Sequence, residues 1–127
     1  VSLEFEDLTG KIIGAAIQVH RRMGPGFLES IYEKALVIEL EKVGLFVQTQ
    51  RELDVLYDGQ TIGKHRLDML VERQIVVELK AIKEIDPVHF AVVRSYLRAA
   101  KLKHGLLLNY NKPKLEIKRV LASDTPS

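Results

Sequence analysis

Arg66-Leu67-Asp68-Met69-Leu70-Val71-Glu72-Arg73-Gln74-Ile75-Val76-Val77-Glu78-Leu79-Lys80 reads as two strands joined by a short polar reversal. If Glu72-Arg73-Gln74 is a three-residue loop, Val71 pairs with Ile75, and counting back along both strands sets Asp68 opposite Glu78. Paired residues point to the same face of a sheet, so the two carboxylates stand roughly 5 Å apart at their Cβ atoms. Like charges so placed are unfavourable unless something positive lies between them, and a divalent cation is the simplest such thing. Glu78 and Lys80 are two residues apart and share that face. Ile75, Val77 and Leu79, on the other face, are all apolar and belong to a core.

Outward from this hairpin the chain alternates in period. Residues 60–71 form the strand that carries Asp68, preceded by Asp58-Gly59, a strong two-residue turn signal. Before the turn, Leu53, Val55 and Tyr57 alternate with polar neighbours, and residues 45–48 suggest a further short strand. Two helices come earlier. Leu8, Ile12, Ala15, Ala16 and Val19 recur at helical spacing over residues 8–22, with Thr9 or Asp7 as candidate caps. Gly24-Pro25-Gly26 breaks that helix. A second runs over residues 27–43, burying Leu28, Ile31, Tyr32, Ala35, Leu36, Ile38 and Val43, and stops at Gly44. After Lys80, Asp86-Pro87 reads as an N-cap and a first-turn proline. The helix it starts runs to Leu102, burying Val88, Val92, Tyr96 and Ala99. Residues 105–109 and 115–120 are the last strands. The order α-α-β-β-β-α-β-β predicts an α/β domain with a mixed sheet flanked by helices.

Length and composition suit this reading. A chain of 127 residues holds one domain, expected over residues 1–121 with a frayed tail at 122–127. The absence of cysteine rules out disulfides, thiol catalysis, zinc ribbons and iron–sulfur clusters, and is compatible with a reducing cytoplasm. No apolar run approaches the roughly 20 residues of a membrane span, and the acidic start lacks the parts of a signal peptide. A cytoplasmic protein without a membrane partner is expected. The net charge of +2 permits a polyanionic partner without demanding one.

Asp68 followed by Glu78-Leu79-Lys80 resembles the D…(D/E)-x-K signature of the PD-(D/E)XK nuclease superfamily, whose core is restriction-endonuclease-like. Gly26-Phe27-Leu28-Glu29-Ser30-Ile31-Tyr32 is similar to the pattern of its small GxxExxY family. The likeness extends over residues 8–119, including Tyr96-Leu97 and the strand at 105–109. It implies a nuclease acting on DNA or RNA. Asp68, Glu78 and the backbone carbonyl of Leu79 would bind Mg2+ or Mn2+, with Glu29 a further ligand, direct or through water. Lys80 would position or help deprotonate the attacking water, and Tyr32 would steady its helix. One departure stands out: many relatives carry a glutamine four residues before the tyrosine of the third helix, and this chain has Val92 there. A catalytically inactive domain that binds nucleic acid or protein is the alternative, and a structural or dimerising module is a third.

The remaining polar residues carry less. His20, His65, His89 and His104 show no ligand spacing. Arg94, Arg98 and Lys101 form a stripe expected on the outer face of the third helix, able, with Lys103, Lys112, Lys114, Lys118 and Arg119, to contact phosphates or simply to face solvent. Exposed sheet edges make a homodimer an open expectation.

Overall fold

A computed structural model describes residues 5–123; the tail positions 124–127 lie outside the described residues. The elements are α1 (Glu6–Met23), α2 (Glu29–Lys42), β1 (Val47–Tyr57), β2 (Gln60–Val71), β3 (Ile75–Lys80), α3 (Pro87–Ala100), β4 (His104–Asn109) and β5 (Glu116–Leu121). The order matches the sequence reading. The strands form one sheet in the order β1-β2-β3-β4-β5. All neighbours are antiparallel except β3 and β4, which α3 links as a parallel pair. The sheet is therefore mixed. Among the described residues no helix is long and apolar enough to cross a membrane.

The strand turns follow local chemistry. Asp58 and Gly59 both adopt positive φ (53° and 76°), as a two-residue turn matching the strand twist requires. At the next reversal Val71 does pair with Ile75. Glu72 there reaches across to the start of β1: its N–H donates to the Phe46 carbonyl (2.8 Å) and its carboxylate accepts from Phe46 N–H (2.6 Å). β1 is one continuous strand of 11 residues rather than a short strand and a separate run. Residues 45–48 join the longer strand because β2 offers them a ladder as far as Val71.

Helices cover both faces. α1 and α2 bury Ile12, Ala16, Val19, Tyr32, Leu36 and Leu40 against Met69, Val71, Val77 and Leu79. On the other face α3 buries Val93 and Leu97 against Leu67, Leu70, Val76 and Leu107. Three expectations change here. α1 starts at Glu6 without a side-chain cap, and Thr9 lies buried within the helix. The buried stripe of α2 is narrow, and Leu28, Ile38 and Val43 stay exposed because the underlying sheet meets only the Tyr32–Leu36–Leu40 line. In α3 the fully buried pair is Val93 and Leu97, with Val88 left in solvent.

Gly105 explains the rotation of α3. A Cβ at that position would stand 2.8 Å from Val93 Cγ1 and 3.5 Å from Leu97 Cδ1. Only a glycine lets the helix settle so close to β4. Gly105→Ala is expected to destabilise the protein by about 1–3 kcal/mol through overpacking. Combined with Val93→Ala, it should cost less than the sum of the two single changes, read by urea unfolding.

Candidate active site

The ladder between β2 and β3 ends at Met69 opposite Val77. Beyond that pair the strands part, and side chains take over the bonding. Asp68 N–H donates to Glu78 Oε1 (3.0 Å), and Leu79 N–H donates to Asp68 Oδ2 (3.0 Å). Each carboxylate thus supplies the acceptor that the neighbouring strand no longer offers. The sequence register was right to this point, yet Asp68 and Glu78 are not a ladder pair: they meet through side chains across an opening sheet.

The opening has a local cause. Leu67 and Leu70 both pack on the α3 side, whereas Met69 and Val71 pack on the α1–α2 side. Strict alternation cannot put residues three apart on one face, so the pleat slips at Asp68. β1 slips at the same level. Gln50, between residues paired with Met69 and Leu67, has a left-handed φ of 51°. Gln48 and Arg51, again three apart, line one cavity on the α3 side. With both strands kinked, Gln50 and Asp68 join Glu29, Ser30, Glu33 and Leu79 around a cavity of about 260 Å³ under the start of α2.

Burial governs the electrostatics. Glu78 is only 3% exposed. Burial, and then the adjacent charge of Asp68, push its carboxyl up to about 8. Asp68 is raised too, chiefly by burial and with Glu29 adding to it, while the Leu79 N–H bond and the Lys80 ammonium pull the other way. The Lys80 charge therefore reaches both acids. Tyr96, on α3, is pushed up to about 12 by burial and then by Glu78 and Asp68, which sets its hydroxyl within their field. The ring of His65 meets that of Tyr96 edge-on at 4.6 Å.

Neighbouring groups fix the frame. Glu29 is exposed, and its Oε2 accepts from Ala81 N–H (3.2 Å), tying the first turn of α2 to the end of β3. Asn109 is fully buried and reads Ile82 with both halves of its amide: it accepts from the N–H (3.0 Å) and donates to the carbonyl (2.9 Å). Lys80 pairs with Asn109, and its carbonyl accepts from Tyr110 N–H (2.8 Å). Tyr32 is buried, stacked on Tyr110 at 4.3 Å, and donates to the Gly24 carbonyl (2.5 Å). It secures the glycine turn.

Three residues in this neighbourhood escaped the sequence reading. Glu33 stands one turn after Glu29, a spacing that could have flagged it. Its carboxyl is raised mainly by burial, against the Gln50 amide bond (2.8 Å), and Asp68 adds to the rise. Gln50 gives no signal, because nothing local announces a left-handed residue inside a strand. Asn109 closes an apolar strand and looks like a strand terminus.

Among the described residues no three His, Asp or Glu side chains form a ready-made metal cage. Asp68 and Glu78 nevertheless offer two desolvated oxygen donors in contact, and a hard cation such as magnesium is often held by one or two carboxylates plus water and phosphate. The donor set fits that kind of ion.

A family model described as the PD-(D/E)XK nuclease superfamily matches residues 6–120. The solved structure of SSO0001 superimposes with a TM-score of 0.58 at 16% identity, covering 94% of this chain. This chain spans 60% of the length of that structure, and the likeness is one of fold. No curated protein matches the sequence.

The Glu78 shift has a testable sign. A carboxyl raised in the folded state contributes stability fully present below its unfolded value of 4.5 and lost as pH rises through about 8. In a chelator, Glu78→Gln should therefore unfold at a higher temperature than the wild type at pH 9. The gap should shrink steadily as the buffer is brought to pH 5.

Proposed function

The chain belongs to the PD-(D/E)XK nuclease superfamily, and from that membership we propose that it hydrolyses phosphodiester bonds in DNA or RNA with Asp68, Glu78 and Lys80. The observation that carries this reading is the meeting of a buried and a half-buried carboxylate, Glu78 and Asp68, where β2 and β3 part, with the charge of Lys80 reaching both. Within the superfamily, Gly26, Glu29 and Tyr32 support a place in the GxxExxY family.

Asp68 and Glu78, helped by the Leu79 carbonyl, would hold Mg2+ or Mn2+. When bound, such an ion polarises a phosphate oxygen and lowers the pKa of a bound water. Lys80 lies within the field of both acids; it orients the attacking water, assists its deprotonation and offsets charge growing on the phosphate. Glu29 has one oxygen engaged by Ala81 N–H, which holds the end of β3 in place, and it would reach the ion directly with the other oxygen or through water. Glu78 is buried, and the Tyr96 hydroxyl lies within its field.

Val92 favours a second reading. Its apolar side chain stands where many relatives carry glutamine, one turn before Tyr96, and its carbonyl accepts from Ser95 Oγ (2.6 Å). A domain that lost that amide and kept the fold would bind nucleic acid or a protein without cutting.

The deciding experiment incubates the protein with circular single-stranded DNA, plasmid and RNA in manganese, beside Lys80→Ala and Asp68→Ala. Cleavage by the wild type should fall at least ~100-fold in each variant, the scale of losing one charge-stabilising group. A folded wild type that cuts none of these substrates would move the assignment to the non-cleaving binder.

A further inference from the structure

A cleft runs between the inner face of β1 and the C-terminal half of α3. At one end Asp54 and His65 face Arg98 and Lys101 across a cavity of about 350 Å³. At the other, Arg51 and Arg73 face Ala100 and Leu102 across one of about 380 Å³. Arg51, Arg73, Arg98 and Lys101 are all exposed, and none forms an ion pair among the described residues. The carboxylate in the cleft, Asp54, is already matched by Lys64 at 3.6 Å. Arg73 lies over the Phe46 ring at 5.2 Å, which holds its guanidinium at the edge of the hairpin. Gln48 adds a buried Oε1 without a partner, an acceptor for a sugar hydroxyl or a base N–H.

The cleft adjoins the acids. His65, on its wall, touches Tyr96, and Tyr96 lies in the field of Glu78 and Asp68. From Tyr96 to Lys101 the helix rises only ~7.5 Å. The other side of the site is lined by Glu29, Glu33 and Asp68 and repels a polyanion.

We infer that this cleft is the track for the nucleic-acid backbone, with Arg98 and Lys101 on phosphates near the cut bond and Arg51 and Arg73 on phosphates further along. The inference rests on the nuclease reading for the identity of its ligand and adds where that ligand lies. The structure also corrects the sequence-based stripe: Arg94 is half-buried, with its Nε shielded and without a partner, and does not belong to it.

Fluorescein-labelled oligonucleotides, duplex and single-stranded, are titrated in chelator across a salt series so that nothing is cut. Arg51→Ala/Arg73→Ala and Arg98→Ala/Lys101→Ala should each bind on the order of 10-fold more weakly. Each should also lower the slope of log affinity against log salt by about 2, one for each lost phosphate contact. Arg51→Lys/Arg73→Lys should keep the slope. Lys114→Ala/Lys118→Ala, beyond the opposite edge of the sheet, should match the wild type.

Cleft variants that bind like the wild type overturn the inference, and so does wild-type binding to polyglutamate as tight as to oligonucleotide, which would assign the cleft to an acidic protein. Manganese-dependent cleavage with unchanged KM in both cleft variants rejects the cleft and leaves the nuclease reading standing. Binding that depends on the cleft, without cleavage, rejects the nuclease and supports the cleft.

Discussion

Two hydrogen bonds hold the centre of this molecule in its shape, one from Asp68 N–H to Glu78 and one from Leu79 N–H to Asp68. A sheet can open only if the backbone groups released by the parting strands find other partners, since a buried orphan costs about 1–3 kcal/mol. The two acids supply those partners. Their carboxylates are therefore part of the sheet as well as candidates for chemistry. The arrangement leaves two desolvated acids side by side, both raised by burial and by each other or Glu29, with the charge of Lys80 pulling the other way; a bound cation would favour their charged forms further.

The chain after β3 is held just as closely. Glu29 takes Ala81 N–H, Asn109 takes both polar groups of Ile82, and Tyr110 bonds the Lys80 carbonyl. These three residues come from the start of α2 and the end of β4, so the position of Lys80 is set by two separate parts of the fold. Tyr32 extends the same frame to the glycine turn, and its stacking on Tyr110 joins α2 to the end of β4. The backbone on either side of Lys80 is therefore held by side chains as well as by the sheet.

Much of this was legible in advance because it rests on short-range signals. Alternation in the strands, Asp58-Gly59, the Glu72-Arg73-Gln74 reversal and the Asp86-Pro87 start of α3 are all local, and the element order followed from them. The pairing of Val71 with Ile75 was a matter of counting. The slip at Asp68 was not legible, because a matched kink in two neighbouring strands leaves their register unchanged and shows only in which core each leucine joins. For the same reason Gln50 was missed. The rotation of α3 toward Val93 and Leu97 depends on the missing side chain of Gly105, a contact between distant residues that helical periodicity cannot report.

The two sides of the site differ in kind, and the difference bears on direction. Toward α2 lie Glu29, Glu33 and Asp68 around a polar cavity suited to water and a cation. Toward α3 lie Tyr96, the apolar Val92 and, beyond His65, the exposed cations of the β1–α3 cleft. A polyanion approaching the acids from the α2 side meets Glu29, Glu33 and Asp68 around the cavity. From the α3 side it meets arginine and lysine first and reaches the acids last, next to Lys80. On the proposed function, the slip at Asp68 then has a purpose that sheet packing alone does not supply. It turns Asp68 toward the α2-side cavity while Glu78, on the unslipped strand, keeps to the α3 side.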